Sequence, residues 1–257
     1  MKTIFILAIA LSSTNLFGQT ILVDENFDVG PFPAGWTQTS YATDGGWLMG
    51  NNNSLQSQWW SIAAHGSFIA TNDDACDCDK TMDYLIMPPL DLSTITSAVL
   101  QFESYFDAGS LSGGTEVATI EYSLDNGVTW TLLQTIIGTD DGAWDAQTVS
   151  LNTISGNANV LVAFHYFDDN NWLFGWGIDD VLVFELEGTD LELGAITTNS
   201  TVDVQTPHTV AGLVTNTGLN IIQSFDASWT IGATVYTTSF NSLSIPSLGS
   251  YNFSHPD

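Results

Sequence analysis

The sequence predicts an all-β protein, a β-sandwich followed by part of a second one, on three observations. Short runs rich in β-branched and aromatic residues recur from Thr20 onward, each bounded by Gly, Asn, Asp or Ser. Two of these runs are joined through Asn126-Gly127, a pair that accepts positive φ and so favours a hairpin turn. No window keeps apolar residues at helical spacing over three turns. A composition of 44% hydrophobic residues, with 9 Trp and 14 Phe, excludes disorder and allows one large core or two smaller ones.

The first element, residues 1–18, reads as a secretory leader. "MKTIFILAIALSSTNLFG" has a short positive start, an apolar stretch from Ile4 to Leu11 and small or neutral residues to Gly18, with cleavage expected before Gln19. The apolar stretch is too short to span a bilayer, and no later segment approaches the roughly 20 apolar residues a transmembrane helix needs. The sequence therefore predicts export without an integral membrane segment.

Strands follow. "ATIEYSL", "VTWTLLQTI", "NVLVAFHYF" and "IDDVLVFEL" carry the strand signature most strongly in the region up to Gly188. Composition changes at "EGTDLELGAI": Trp and Asp are dense before Gly188, whereas Thr, Ser and Val dominate after it with one Trp, Trp229. The expected boundaries are a domain over 19–188 and an immunoglobulin-like module over 189–257. The second reads as the opening strands of such a module, "HTVAGLVTNTGLN" and "FDASWTIGATV", in about 70 residues, short of the roughly 100 the fold usually needs. It is expected to be truncated.

Charge narrows the partners. The chain has 2 basic residues, Lys2 and Lys80, against 29 acidic ones. Without the leader one base faces 29 acids, a formal charge of −28. Nucleic acid is excluded, because phosphate binding needs clustered Lys and Arg. Acidity of this degree serves solubility, or binds divalent cations, and both can hold.

A buried carboxylate needs a base, a donor or a metal beside it, and bases are scarce here. Asp179 and Asp180 lie inside "WGIDDVLVF", so one of them should face a dry interior. Glu25 lies in "ILVDENF". The loop "TNDDA" adds Asp73 and Asp74. Calcium takes about six to eight oxygens at flexible geometry, and Glu25, one aspartate of the Asp179/Asp180 pair, and Asp73 and Asp74 of the loop could supply that set. Lys80 would neutralise one acid and water the rest. Cys76 and Cys78 stand one residue apart and can close a local disulfide, which would crosslink little chain; zinc lacks a second ligand pair.

Two loops pair aromatics with amides and carboxylates, a combination that suits sugars because a ring face stacks on apolar sugar surfaces. "HYFDDNNWLFGW" offers Asp168, Asn170 and Trp172, and "GNNNSLQSQWW" offers Trp59 and Trp60; the alternative for the tryptophans is a place in the core. "SLDNGVTW" lacks the continuation of an EF-hand, so Asp125 and Asn126 read as turn residues. His165, inside "VLVAFHYF", reads as a satisfied core histidine. H-E-x-x-H, G-x-S-x-G and the phosphate-cradling G-x-x-x-x-G-K-[ST] are absent.

Five blocks in order, "DENFDVGPFPAGW", "MDYLIMPPLDL", "LQFESYF", "IEYSLDNGVTWTLL" and "WGIDDVLV", together resemble the cleaved-adhesin or choice-of-anchor J modules of secreted Bacteroidetes proteins. These are found in gingipain adhesin regions and are related to the MAM domain. The resemblance covers about residues 22–186. It implies a β-jelly-roll with structural calcium, used as a non-catalytic adhesion or binding module toward a host or matrix protein or a glycan. In a jelly roll the first and last strands lie side by side, which would bring Glu25 near Asp179 or Asp180. The part after Gly188 is similar to CARDB-type immunoglobulin-like repeats of such architectures. The rival readings are a carbohydrate-binding accessory domain of a degradative enzyme and, third, a glycosidase or peptidase.

Overall fold

A computed structural model describes residues 9–11, 20–28, 31–107, 110–111, 113–139, 141–197, 209–231 and 234–255. Most of the expected leader and its cleavage point lie outside the described residues. The chain forms two compact units, Thr20–Glu185 and a second made of Met1–Gln19 with Leu186–Asp257. Strand β1 (Ile9–Leu11) belongs to the second.

The first unit contains β2 (Ile21–Glu25), β3 (Thr37–Thr39), β4 (Leu48–Asn51), the one-turn helix α1 (Asn52–Leu55), β5 (Ser67–Asn72), the one-turn helix α2 (Asp73–Cys76), β6 (Asp83–Ile86), β7 (Ala98–Tyr105), β8 (Ser110–Leu111), β9 (Gly114–Thr115), β10 (Val117–Ser123), β11 (Thr131–Ile136), β12 (Asp145–Ser150), β13 (Leu161–Phe167) and β14 (Gly175–Glu185). One antiparallel sheet has the order β11-β10-β13-β6-β3, and the other β12-β7-β14-β5-β4. Strand β14 is long enough to serve two neighbours on one side: its start pairs with β5 and its end with β2, while β7 runs along the other side. The first and last strands are thus adjacent, as a jelly roll requires.

Alternation builds the core. Within β13, Val162, Phe164 and Tyr166 are buried while Leu161, His165 and Phe167 are partly exposed, the period-2 pattern of a strand with one face inward, with the small Ala163 the one buried residue on the outward side. Phe164 of this sheet meets Trp176 of the other edge to face, with ring centroids 5.7 Å apart, and Leu85, Ile120, Leu100, Phe102 and Ile178 join the same cluster. His165 therefore lies on the outer face instead of in the core. Both its ring nitrogens are engaged, with Glu121 at 2.9 Å and the Thr81 carbonyl at 3.1 Å. Asn126 and Gly127 have positive φ between β10 and β11, in a loop that runs from Leu124 to Trp130. The Asp125 carboxylate is held down to about 2, first by the Thr129 backbone N–H and then by its hydroxyl, as befits a turn residue.

The second unit holds two three-stranded sheets. One is β1-β17-β18, with β17 at Phe225–Ile231 and β18 at Thr234–Phe240; the other is β15-β16-β19, with β15 at Glu192–Ile196, β16 at Val210–Thr215 and β19 at Ser250–His255. Val214, Ile222, Ala227, Ile245 and Phe253 form its core. Ile9–Leu11 pair with Ala227–Trp229. No helix among the described residues is long and apolar enough to cross a membrane.

Candidate functional site

Strand β14 separates the predicted calcium ligands into two groups. Asn72, the residue before Asp73, lies opposite Gly175, whereas Glu25 lies opposite Val181. The six steps along the strand from Gly175 to Val181 span about 20 Å at roughly 3.3 Å each. Calcium–oxygen bonds are about 2.3–2.6 Å, so Asp73 and Asp74 cannot share an ion with Glu25, Asp179 and Asp180. The expected grouping of Glu25, one aspartate of the Asp179/Asp180 pair and the Asp73–Asp74 loop around one ion is corrected to two separate groups.

At the first centre the β14–β7 ladder breaks between Asp179 and Leu182, and Asp180 takes φ 49. This irregularity lets consecutive carboxylates converge: His65 Nε2 is 3.6 Å from an oxygen of Asp179 and 3.6 Å from one of Asp180. Asp179 is buried and Asp180 exposed. Burial is the main reason the Asp179 carboxyl is pushed up to about 7; repulsion from Asp180, Asp28 and Glu103 adds to it, while the Asp180 backbone N–H opposes it. That N–H donates to Asp179 Oδ1 at 2.9 Å. Glu25 Oε1 accepts from the Phe27 N–H at 2.9 Å, fixing a turn in which Phe27 has φ 50. The turn carries the chain on to Asp28, whose Oδ1 lies near Gly66. The His65 ring stacks on Trp144 at 4.5 Å, which leaves its edge toward the acids. Two adjacent carboxylates beside one imidazole, one of them dry and repelled also by Asp28 and Glu103, fit a hard cation better than they fit each other. The oxygen donors of the group suit calcium.

At the second centre, Asn72 caps α2 by accepting from the Ala75 N–H, and the N–H groups of Asp73 and Asp74 both reach the Phe174 carbonyl. Asp73 Oδ2 accepts from the Leu173 N–H at 2.5 Å, and Asp73 Oδ1 is buried without a partner. Burial lifts the Asp73 carboxyl to about 6, with Asp168 and Asp77 contributing repulsion and the Leu173 N–H acting against them. Asp168, predicted to meet a ligand, is buried and accepts from the backbone of Lys80 and Asn170, both at 2.9 Å. Asn170 is exposed with φ 50. Cys76 and Cys78 form the expected disulfide.

Lys80 has a larger role than the sequence indicated. Its side chain is fully buried, and the ammonium meets both Asp44 oxygens at 3.0 Å and Asp83 at 3.3 Å. Asp83 also accepts from the Ser40 and Thr71 hydroxyls. Desolvation outweighs these partners and raises its carboxyl above the usual range. Asp44, at a turn before Gly45-Gly46, gave no sequence signal beyond its charge.

The tryptophans divide. Trp60 is 1% exposed and packs on Tyr105. A Cβ at Gly175 would collide with its ring and with the Thr71 carbonyl. Trp60 is thus core, and its assignment as a ligand residue is corrected. Trp59 and Trp172 are 63% and 47% exposed and share one anchor: the Trp59 N–H donates to the Asp74 carboxylate at 3.2 Å and Trp172 Nε1 to the Asp74 carbonyl at 3.3 Å.

No known protein family matches the sequence, and no curated protein matches it. Solved structures do resemble it. The K1 cleaved adhesin domain of Lys-gingipain from Porphyromonas gingivalis W83 is 21% identical, covering 63% of this chain and 96% of that one at a TM-score of 0.44. The K3 cleaved adhesin domain of the same protein is 20% identical, covering 65% and 100% at 0.45. The CBM22-1 xylan-binding domain from Paenibacillus barcinonensis Xyn10C is 11% identical, covering 65% and 95% at 0.41.

Proposed function

We propose that this chain is an exported, calcium-stabilised, non-catalytic binding module that mediates adhesion to a protein or a glycan. The observation that carries the binding role is the exposed pair Trp59 and Trp172, both tied to Asp74. The Trp172 ring is held by its Nε1–H donating to the Asp74 carbonyl, and the Trp59 backbone N–H donates to the Asp74 carboxylate, so two largely exposed rings stand on segments tied to one residue, a surface suited to contact with something else. Calcium is supported by the Asp28, Glu103, Asp179 and Asp180 group, in which a buried carboxylate faces like charges. The order of the five sequence blocks supports the adhesin reading, and the leader pattern supports export.

Amides beside the aromatic pair, Asn170 and Asn171, favour a glycan, which makes the accessory carbohydrate-binding role the second reading. Binding of the full chain to an array of polysaccharides and immobilised extracellular matrix proteins, with calcium present, tests both. Saturable binding lost in Trp59→Ala with Trp172→Ala supports the proposal, and the class of ligand bound selects the reading. Binding that is unchanged by both substitutions would remove this surface from the account.

A further inference from the structure

We propose that Lys80 and Asp44 join through an amide between their side chains, a crosslink that the chain makes on itself with Asp83 as the proton carrier. Lys80 Nζ is 3.0 Å from each Asp44 oxygen and 3.3 Å from Asp83 Oδ2. The Lys80 and Asp83 side chains are fully buried, and that of Asp44 is 23% exposed. A buried ion pair gives up the hydration of both charges. Condensation removes both charges and leaves a neutral amide in their place.

The groups are held for reaction. Asp44 precedes Gly45 and Gly46, which take φ 97 and 90, and the Gly46 N–H donates to Asp44 Oδ1 at 3.0 Å. The Ser40 and Thr71 hydroxyls fix the Asp83 carboxyl, and Trp47 Nε1 donates to the Asp83 carbonyl at 3.1 Å. Trp47 is itself buried against Trp176, so an indole stands beside the cluster where water would otherwise compete. An amine and a carboxyl fixed in contact react as if at far higher concentration than free partners.

The step balances within the three side chains. A proton moves from the Lys80 ammonium to an Asp44 oxygen, giving an amine and a carboxylic acid. The nitrogen lone pair attacks Asp44 Cγ, and the N–C bond forms. Asp83 takes a proton from the nitrogen and passes it to the Asp44 hydroxyl; the C–O bond breaks and water leaves. The ammonium hydrogens end in the amide N–H and the water, and no further reactant is consumed. Burial raises the Asp83 carboxyl above the usual range, against the pull of Lys80 and the two hydroxyls, which suits a group that must hold and return a proton. The partial exposure of Asp44 gives the water an exit. Asp44 lies between β3 and β4 and Lys80 between α2 and β6, segments that each cross from one sheet to the other. The bond joins positions 36 apart and encloses β4, β5 and Trp59 in a covalent loop.

Mass spectrometry of the reduced, unfolded full chain, before and after trypsin, tests this, with the N-terminal residue sequenced to fix the expected mass. The chain has no arginine, and beyond Lys2 its one trypsin site is Lys80. The expected result is a mass lower by one water and no cleavage after Lys80, because a lysine bearing an amide is not a trypsin site. Asp44→Ala and Lys80→Arg should restore the full mass and the cut, and Asp83→Asn should leave most of the chain unlinked, each variant being checked for folding by near-ultraviolet dichroism. The parent chain decides the matter even if a variant does not fold. A full mass with cleavage at Lys80 would overturn the proposal. So would a water loss with Lys80 still cleaved, which marks a succinimide at Asp44-Gly45. Linkage to the parent's extent in folded Asp83→Asn would overturn the role of Asp83.

Discussion

Replacing Asp179 by Asn in the metal-free chain should stabilise the protein, and should do so only above acidic pH. The side chain is 4% exposed and its carboxyl is pushed up to about 7 from 3.8. The folded state therefore holds the proton more tightly than the unfolded chain does. Between pH about 4 and 7 the unfolded state binds fewer protons, so stability falls as pH rises through that window and levels off above it. The rise from 3.8 to about 7, at roughly 1.36 kcal/mol per tenfold change in proton affinity, puts the cost near 4 kcal/mol at pH 8. Local relaxation and counter-ion uptake make that an upper bound. Asn keeps the oxygen that accepts the Asp180 N–H and removes the charge.

At about 2–4 °C per kcal/mol for a domain of this size, the variant should melt up to about 8–16 °C above the parent at pH 8 in EDTA. It should coincide with the parent near pH 4. Differential scanning calorimetry of both chains from pH 4 to 8 measures this, and taking the difference between them cancels the repulsion among the remaining acids. A variant that is equally destabilised at pH 5 and pH 8 would refute the reasoning, because Asp179 would then be satisfied as a carboxylate without metal.

Other outcomes follow from the same geometry. Lys80→Met leaves Asp44 and Asp83 without their base and should cost about 3–5 kcal/mol, read as a lowered urea midpoint at pH 7. Trp60→Ala should cost about 3–5 kcal/mol as a core truncation, whereas Trp59→Ala and Trp172→Ala should leave the urea midpoint within about 0.5 kcal/mol, as surface changes do. Replacing Cys76 and Cys78 together by Ser should cost no more than about 1.5 kcal/mol, because the closed loop is so short; thermal melts of the oxidised parent and the variant compare them directly.

The all-β reading was legible because strand periodicity is local. Alternation in "VLVAFHYF" and positive-φ residues at Asn126-Gly127 encode pairing without help from distant chain. The adjacency of Glu25 to the end of β14 was also foreseen, through the resemblance to a jelly roll. What failed was grouping. Asp73 and Asp179 both belong near β14, but sequence alone does not reveal that β5 pairs with its start and β2 with its end. Asp28, His65 and Glu103 were missed at the first centre because they come together only through sheet pairing over long sequence separations. Trp60 differs from Trp59 by one position, and a residue's side of a chain turn is decided by tertiary packing. The charge count did point to Lys80 as a neutralising group, but its burial between Asp44 and Asp83 depends on a fold that places a turn before β4 against the start of β6.

The measurement that bears most directly on a calcium-stabilised module is a thermal melt of the full chain in excess EDTA and in calcium, with Glu25→Gln and Asp180→Asn beside it. A native-only site at a hundred times its dissociation constant adds about 2.7 kcal/mol, or roughly 5–11 °C at the slope expected for this size. The account predicts a shift of that order in the parent and a smaller one in both variants. Coincident melts with and without calcium, in a chain purified free of metal, would contradict it.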